Sequence, residues 1–177
     1  VLITGGPIVE PEEYAEKAEV VRSEMLADHV ALVTLDRPHK RNAVNVALAL
    51  QLDECVKRSE ADPDIRVVIL TSSNDAAFCA GADLAEVAAG NGPRLFTDDG
   101  GFGGFIDAKR RKPWIAAVKG AVMAGGLEFC LACDMIVAAQ DSIFGLPEVK
   151  SSLIPTEGGV TRLMKAIPRA VALELIA

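Results

Sequence analysis

The stretch Ala121-Val-Met-Ala-Gly-Gly-Leu-Glu-Phe-Cys-Leu-Ala-Cys-Asp134 decides the fold and points to the chemistry. Between Lys119 and Asp134, Glu128 is the only charged residue. Burying an ionised carboxylate removes its hydration, so Glu128 must be exposed, paired, or retained for chemistry that uses a shifted pKa. Just before it, Gly125-Gly126 allows a tight turn from a strand into a helix, which leaves main-chain N–H groups free for a ligand oxygen.

A second carboxylate, Glu148, follows in the segment Phe144-Gly-Leu-Pro-Glu-Val149, where Pro147 restricts the backbone. Two glutamates on rigid apolar elements, with a glycine turn before the first, indicate acid–base chemistry on a carbonyl compound. The alternative is that Glu128 only favours a helix start through the helix dipole. The residues by themselves leave both interpretations open.

Composition restricts the class of protein. The chain has 177 residues and a net charge of −7, which favours one globular domain and argues against binding nucleic acid. Its four cysteines show no disulfide framework, no apolar run is long enough to span a membrane, and the first residues do not resemble a secretory signal. We therefore predict a cytoplasmic protein with an extension over residues 1–19 and a core domain over residues 20–177.

Apolar periodicity predicts alternating strands and helices, and hence an α/β fold with right-handed crossovers. The predicted strands are Val20–Leu26, Val30–Leu35, Arg66–Thr71, Trp114–Val118 and Asp134–Ala138. The predicted helices are Ala43–Ser59, one opening at Asp83, Phe105–Arg111, one carrying Glu128, Val160–Ala166 and one beginning at Pro168, with a helical turn at Glu12–Lys17. Six glycines predict a mobile loop over Gly90–Gly104.

Other polar groups give weaker signals. Cys130 and Cys133 have the spacing of a metal or redox pair, but their apolar surroundings favour core packing, and we expect no metal site. Arg37, Lys40 and Arg41 form the densest positive cluster near a turn. They are either solvated or placed to neutralise phosphate groups on an otherwise acidic protein.

Taken in order along the chain, several segments resemble the enoyl-CoA hydratase/isomerase (crotonase) superfamily. The matching segments are Arg41-Asn-Ala-Val44, Phe78-Cys-Ala-Gly-Ala-Asp83, Lys112-Pro-Trp-Ile-Ala-Ala-Val118, Ala124-Gly-Gly-Leu-Glu128 with Ala132-Cys-Asp134, and Phe144-Gly-Leu-Pro-Glu148 with Ile154-Pro155 and Gly158-Gly159. The resemblance implies a crotonase-like spiral of ββα units. It also implies that family members have C-terminal helices after the position of Ala177, so that this part of the fold is truncated in the given sequence. Those helices would cover the acyl pocket and contribute to a homotrimer or a dimer of trimers.

The same resemblance implies a site for an acyl-CoA substrate, with no separate cofactor because coenzyme A is part of the substrate. The thioester oxygen would bind the N–H groups of Ala82 and Gly125, while Glu128 and Glu148 would hold a water and move the protons. The remaining substrate-binding residues would be Arg37, Lys40 and Arg41 at the CoA phosphates, Ala80, Asp83 and Leu84 near the adenine, and Thr156 and Glu157 near the water and the Cα substituent. Ala43 and Gly126 are also predicted to contact the substrate.

Two departures from the family pattern concern this site. Thr156 stands where glycine is common and is followed by Glu157, which leads to the hypothesis of a polar acyl group such as a carnitine-type cation. Ala124 replaces the first of three glycines before the Glu128 helix. The expected activity is hydration of a 2-trans-enoyl-CoA. The alternatives are an isomerase, a carnitinyl-CoA dehydratase, a CoA-ester hydrolase or a non-catalytic CoA-binding member.

Overall fold

The computed structural model describes residues 19–176, which contain ten strands, five helices and three short 3-10 turns. The strands are β1 (Val21–Ala27), β2 (Val30–Leu35), β3 (Val67–Ser72), β4 (Ala77–Cys79), β5 (Phe96–Thr97), β6 (Gly101–Phe102), β7 (Trp114–Val118), β8 (Ala121–Met123), β9 (Met135–Ala138) and β10 (Ile143–Gly145). The helices are α1 (Val46–Ala61), α2 (Leu84–Ala88), α3 (Gly125–Ala132), α4 (Gly159–Ala166) and α5 (Arg169–Ile176), and the 3-10 turns are Pro38–Lys40, Gly92–Leu95 and Pro147–Ser151. The predicted helical turn at Glu12–Lys17 lies outside the described residues.

The strands form two main sheets. One has the order β1-β2-β3-β7-β9, in which only the β1–β2 hairpin is antiparallel. The other is a parallel sheet in the order β10-β8-β4. The pairs β3–β4, β7–β8 and β9–β10 each give one strand to each sheet and are followed by a helix. This repetition is the predicted spiral of ββα units, and the α/β fold is confirmed.

Helix α1 covers one face of the larger sheet. The side chain of Asn45 accepts a hydrogen bond from Leu48 N at 2.9 Å and so caps the helix start. The predicted apolar stripe is buried, including Leu48, Leu52 and Val56. The helix begins at Val46, three residues later than predicted. The delay arises because Val44 pairs with the main chain of Gly81 and Asp83 instead of entering the helix.

An aromatic cluster fixes α3 against the rest of the core. The ring of Phe105 lies 5.1 Å from that of Trp114 and 5.6 Å from that of Phe129 on α3, both edge-on. Such pairs add to the free energy gained by burying the rings. The start of α3, with Gly125 and Glu128, is therefore carried by a well-anchored helix.

The prediction of a mobile loop over Gly90–Gly104 is wrong, since the segment contains the antiparallel pair β5–β6 and the turn Gly92–Leu95. Leu95 and Phe102 are buried, with 1% and 5% of their surfaces exposed. Close packing accounts for at least one of the glycines: a Cβ on Gly103 would lie 2.3 Å from the ring of Phe129.

The predicted helix over Phe105–Arg111 is also wrong, because its residues make tertiary contacts that a helix would not allow. The guanidinium of Arg110 lies 3.9 Å from the centre of the Phe105 ring and donates to Phe105 O. It also donates to Ala132 O at 2.7 Å, at the end of α3. Strand β8 does not stand out in the sequence, because it is only three residues long and a single residue, Ala124, separates it from the glycine turn.

Candidate active site

A cavity of about 650 Å³ opens between α2, the β5–β6 hairpin, the start of α3 and the loop over residues 147–157. All but two of the predicted site residues line it. Those lining it are Lys40, Arg41, Ala43, Ala80, Ala82, Asp83, Leu84, Gly125, Glu128, Glu148, Thr156 and Glu157. Arg37 and Gly126 do not. The fold therefore brings residues from four separate segments to one concave surface.

The Ala82 amide is directed by a short parallel pairing between residues 41–44 and 80–83. Val44 N donates to Gly81 O at 2.7 Å, and Asp83 N donates to Val44 O at 2.9 Å. In such a pairing the residue between the two bonded ones, here Ala82, has its own N–H turned away from the partner segment. Because Ala82 lines the cavity, its N–H is available on that side.

Gly125 supplies the second amide. It is the first residue of α3, and the first N–H groups of a helix have no acceptor within the helix. Gly81 packs directly against this helix start, since a Cβ added to Gly81 would lie 2.9 Å from Gly125 N. The residue after Gly81 is Ala82, so this close contact brings the segment that carries Ala82 against the start of α3 at the cavity wall. Two adjacent main-chain donors can hold one oxygen that gains negative charge.

Ala124, the residue directly before α3, has a strained backbone. Ala124 has φ 52° and ψ −129°, a conformation that only glycine adopts readily. Its N–H donates to Gly145 O at 2.9 Å, which ties this turn to β10. Strain of this kind persists only where the surrounding structure imposes it, and here it lies at the mouth of the cavity.

Glu128 is buried, with 3% of its surface exposed. Its Oε1 accepts hydrogen bonds from Glu157 N and from Gly159 N, both at 2.8 Å. The pKa of Glu128 is raised to about 7, mainly by burial and also by the negative charges of Glu148 and Glu157, while the two N–H donors oppose the rise. The carboxyl group is thus poised to gain or lose a proton near neutral pH.

Glu148 lies in the turn Pro147–Ser151 and is half-buried. Burial raises the pKa of this carboxyl group above its ordinary value. Its Oε2 is enclosed and has no hydrogen-bond partner within residues 19–176. A buried carboxyl oxygen without a partner is costly unless a ligand, a water or a proton occupies it.

Glu157 makes this end of the cavity strongly acidic. Its Oε1 accepts a hydrogen bond from Thr156 Oγ1 at 2.6 Å. None of the ion pairs within the described part of the chain involves Glu128, Glu148 or Glu157. The alternative that Glu128 only favours a helix start would not require three carboxylates around one cavity.

The cavity has a basic part, which His39, Lys40 and Arg41 line. Arg37 differs from the prediction. It does not reach the cavity, because it forms a buried ion pair with Asp83 at 2.7 Å. The segment beside this basic part includes Ala80 and Leu84, which were predicted to contact the adenine.

Gly126 also differs from the prediction, because it packs inward rather than facing the cavity. A Cβ at Gly126 would lie 2.3 Å from Cys79 O, so the glycine allows α3 to approach β4 closely. Cys130, one turn further along α3, is buried among apolar residues, as predicted. Within residues 19–176, no group of histidines, cysteines and acids could hold a metal ion. None of the described helices is long and apolar enough to cross a lipid bilayer.

Sequence reasoning missed the apolar lining contributed by Phe96 and Phe102. Their rings lie 5.5 Å apart and form part of the cavity wall. The signal was present, since Asp98-Asp99-Gly100 between two phenylalanines is typical of a hairpin turn. It was obscured by the surrounding glycines.

Comparison with known proteins agrees with this geometry. Residues 26–177 match the family described as enoyl-CoA hydratase/isomerase. The chain belongs to this family. Among its relatives, the carnitinyl-CoA dehydratase of Proteus mirabilis is 39% identical over 145 residues, which are 81% of this chain and 55% of that protein. The corresponding Escherichia coli protein is 40% identical over the same length.

Solved structures of family members superpose well on the described residues. An enoyl-CoA hydratase from Mycobacterium tuberculosis has a TM-score of 0.82 at 41% identity, covering 89% of this chain and 60% of that one. A carnitinyl-CoA dehydratase from Mycobacterium avium has a TM-score of 0.81 at 39% identity, covering 90% and 62%. The chain thus spans a little over half the length of the family members it matches.

Proposed function

We propose that this protein is an enoyl-CoA hydratase-like lyase, which adds water across the 2-trans double bond of an acyl-CoA thioester. One observation carries the proposal: Glu128 and Glu148 line the same cavity as Ala82 and Gly125, whose segments are in contact through Gly81. Membership of the enoyl-CoA hydratase/isomerase family and the names of its relatives support it. The coenzyme A moiety would lie toward Lys40 and Arg41, where positive charge can neutralise its phosphates.

The two amides would act on the thioester oxygen. When water attacks the β-carbon, the electron pair of the double bond moves toward the carbonyl, and negative charge develops on its oxygen. Preorganised N–H donors in an enclosed site stabilise this charge more in the transition state than in the ground state. Their contribution is a rate factor on the order of 10² to 10³ for each donor.

The two glutamates would share one proton. Because Glu128 has a pKa of about 7 and lies near a second carboxylate, the pair holds one proton over a range below neutral pH. The ionised member takes a proton from the attacking water, and the protonated member gives its proton to the α-carbon. The pair ends with one proton, as it began, so the reaction needs no other acid, base or cofactor.

The proposal is tested by assaying Glu128→Gln and Glu148→Gln with crotonyl-CoA and analysing the product by chromatography. Each change should lower the hydration rate by a factor on the order of 10² or more, because each removes one of the two proton carriers. Glu54→Gln is the matched control, since Glu54 is an exposed residue of α1 that does not line the cavity. Near-normal hydration by both variants would refute the mechanism, and a shifted double bond without added water would identify an isomerase.

A second candidate, suggested by the acidic end of the cavity, is the hydration or dehydration of an acyl-CoA that carries a positive charge. Thr156 and Glu157 add a hydrogen-bonded hydroxyl–carboxylate pair beside Glu128. The relatives from Proteus mirabilis and Escherichia coli carry the name carnitinyl-CoA dehydratase. A fixed carboxylate attracts a cationic acyl group and does little for a plain hydrocarbon chain.

Glu157→Gln tests this candidate by the ratio of kcat/KM for an acyl-CoA ending in trimethylammonium to that for crotonyl-CoA. Loss of one charge near the cavity should lower the ratio by about tenfold if Glu157 contacts the cation. An unchanged ratio would remove the candidate and leave general hydration untouched.

A further inference from the structure

Among the ion pairs in the described part of the chain, the pair between Arg37 and Asp83 is the least exposed to solvent. Arg37 Nη1 lies 2.7 Å from Asp83 Oδ2, and the two side chains are only 11% and 10% exposed. The same nitrogen donates to Ala43 O at 3.0 Å. Asp83 Oδ1 meanwhile accepts from Ala85 N at 3.0 Å and caps α2. The guanidinium thus links three backbone segments at one point.

The segment held by this pair has little regular structure to hold it otherwise. Residues 80–83 lie between the end of β4 and the start of α2, and Gly81 has φ 87°. Facing them, Arg41 and Asn42 both have left-handed backbones, with φ 51° and 53°. Neither stretch belongs to a strand or a helix, so only a few main-chain hydrogen bonds join them, and side-chain contacts add to these.

Asn42 provides part of that fixation and is itself anchored to the Arg37 backbone. It is completely buried, and its Nδ2 donates to Phe78 O at 2.9 Å. Its Oδ1 accepts from Arg37 N at 2.7 Å. Arg37 therefore contacts both segments of the pairing that directs the Ala82 amide. Its main-chain N–H binds the Asn42 side chain, and its guanidinium binds Asp83.

We propose that Arg37 is a positioning residue that, through its ion pair with Asp83, sets the direction of the Ala82 N–H toward the thioester oxygen. Asp83 directly follows Ala82, so the ion pair restrains the main chain next to the Ala82 amide. Arg37 does not line the cavity and would act on the substrate only through this amide. The inference rests on the proposed hydratase function, because it concerns the donor that this function requires.

The test uses a chromophoric substrate, 4-dimethylaminocinnamoyl-CoA, with the whole protein. Hydrogen bonds to its thioester oxygen draw electrons from the amino group and move the absorption to longer wavelength. Arg37→Met should lower kcat for crotonyl-CoA on the order of 10- to 100-fold, since small misplacements of catalytic groups have effects of this size. KM should change less than about twofold, because uniform binding is retained, and the absorption shift of the bound chromophore should be smaller than in the wild type.

Arg22→Met is the matched control. Arg22 also pairs with an aspartate, Asp36, at 3.0 Å, but its side chain is 53% exposed and lies away from the cavity. It should keep wild-type kcat and the full absorption shift. Arg37→Lys, which retains the charge but not the planar fork, should fall between Arg37→Met and the wild type.

Equal absorption shifts and kcat values within about twofold for wild type and Arg37→Met would overturn the inference. If Arg37→Met does not fold, Arg37→Lys decides in the same way: a full shift with wild-type kcat overturns it, and a reduced shift with lower kcat supports it. The failure of the proposed function looks different, because the wild-type protein would then produce no shift and no hydration.

Discussion

The cavity has two walls that are built in different ways. The amide wall consists of Ala82 and Gly125, held together by the contact of Gly81 with Ala124 and Gly125. The carboxylate wall consists of Glu128, Glu148 and Glu157, and depends on side chains in a partly dry environment. The first wall is a product of backbone shape, and the second is a product of charge and burial.

This difference implies different sensitivities to mutation. The amide wall should tolerate changes of charge nearby but not an added methyl group, because its donors belong to the main chain. The carboxylate wall should tolerate isosteric changes structurally but lose function when a charge is removed. Each prediction below tests one side of this contrast.

Gly81→Ala should break the amide wall. The added Cβ would lie 2.7 Å from the Ala124 Cβ and 2.9 Å from Gly125 N, so the two amides must separate. Losing one oxyanion donor in this way should lower kcat for crotonyl-CoA by a factor on the order of 10² to 10³. The measurement is steady-state hydration at saturating substrate.

Gly90→Ala is the control for this change. Gly90 has the same φ of 87°, but a Cβ there would meet nothing within 4 Å. It therefore carries the same backbone strain without the contact. If both variants retain equal activity, the close approach of Gly81 to α3 does not matter for catalysis.

The carboxylate wall should give the enzyme a pH dependence near neutrality. A carboxyl group with a pKa of about 7 is protonated below that pH and ionised above it. Hydration needs one proton on the pair, so kcat/KM should fall about tenfold between pH 6 and pH 8 as that proton is lost. A profile that is flat over this range would contradict a proton shared between Glu128 and Glu148.

Removing the Glu128 charge should stabilise the protein while inactivating it. Folding raises the pKa of Glu128 from 4.5 to about 7, so the folded state binds more protons than the unfolded state between these values, and stability falls as pH rises through them. At pH 8 this costs on the order of 3 kcal/mol. Glu128→Gln keeps an acceptor for the N–H groups of Glu157 and Gly159 and avoids this cost.

The measurement is Tm by calorimetry at pH 5 and at pH 8. The gain of Glu128→Gln over the wild type should be roughly 5 °C or more at pH 8 and small at pH 5. A gain that does not grow with pH would show that Glu128 is not destabilised by its burial.

The smallest expected effect concerns the strained residue of the amide wall. Ala124→Gly removes the cost of φ 52° and ψ −129° and should stabilise the fold by about 1 kcal/mol, or roughly 2 to 4 °C in Tm. A lower Tm would mean that the methyl group contributes packing that outweighs its strain.

The sequence was sufficient for the family and for the main strands in chain order, because these depend on local patterns and ordered motifs. It also predicted that Glu128 and Glu148 belong to one site, and both line the same cavity; their catalytic roles stay predictions. It also placed the glycine turn before Glu128 correctly. The position of the Arg37 side chain could not be predicted. The sequence shows its charge, but not that it forms a largely buried ion pair with Asp83, 46 residues away. The predicted trimer and cytoplasmic location stay predictions.

Other errors have a common physical origin. Glycines in the segment from Gly90 to Gly104 indicate flexibility locally, yet Gly103 serves close packing against Phe129. The helix expected after Phe105 gives way to the contacts of Arg110 with two carbonyl groups. In both cases tertiary contacts outweigh local propensity, and no pattern within the segment reveals them.

The central claim is that both walls act on one thioester. A crystal structure of Glu148→Gln with bound crotonyl-CoA tests it most directly. We predict the thioester oxygen within about 3 Å of the nitrogens of both Ala82 and Gly125, with the double bond between the side chains at positions 128 and 148. A thioester oxygen that contacts neither amide, or a double bond remote from those two side chains, would contradict it.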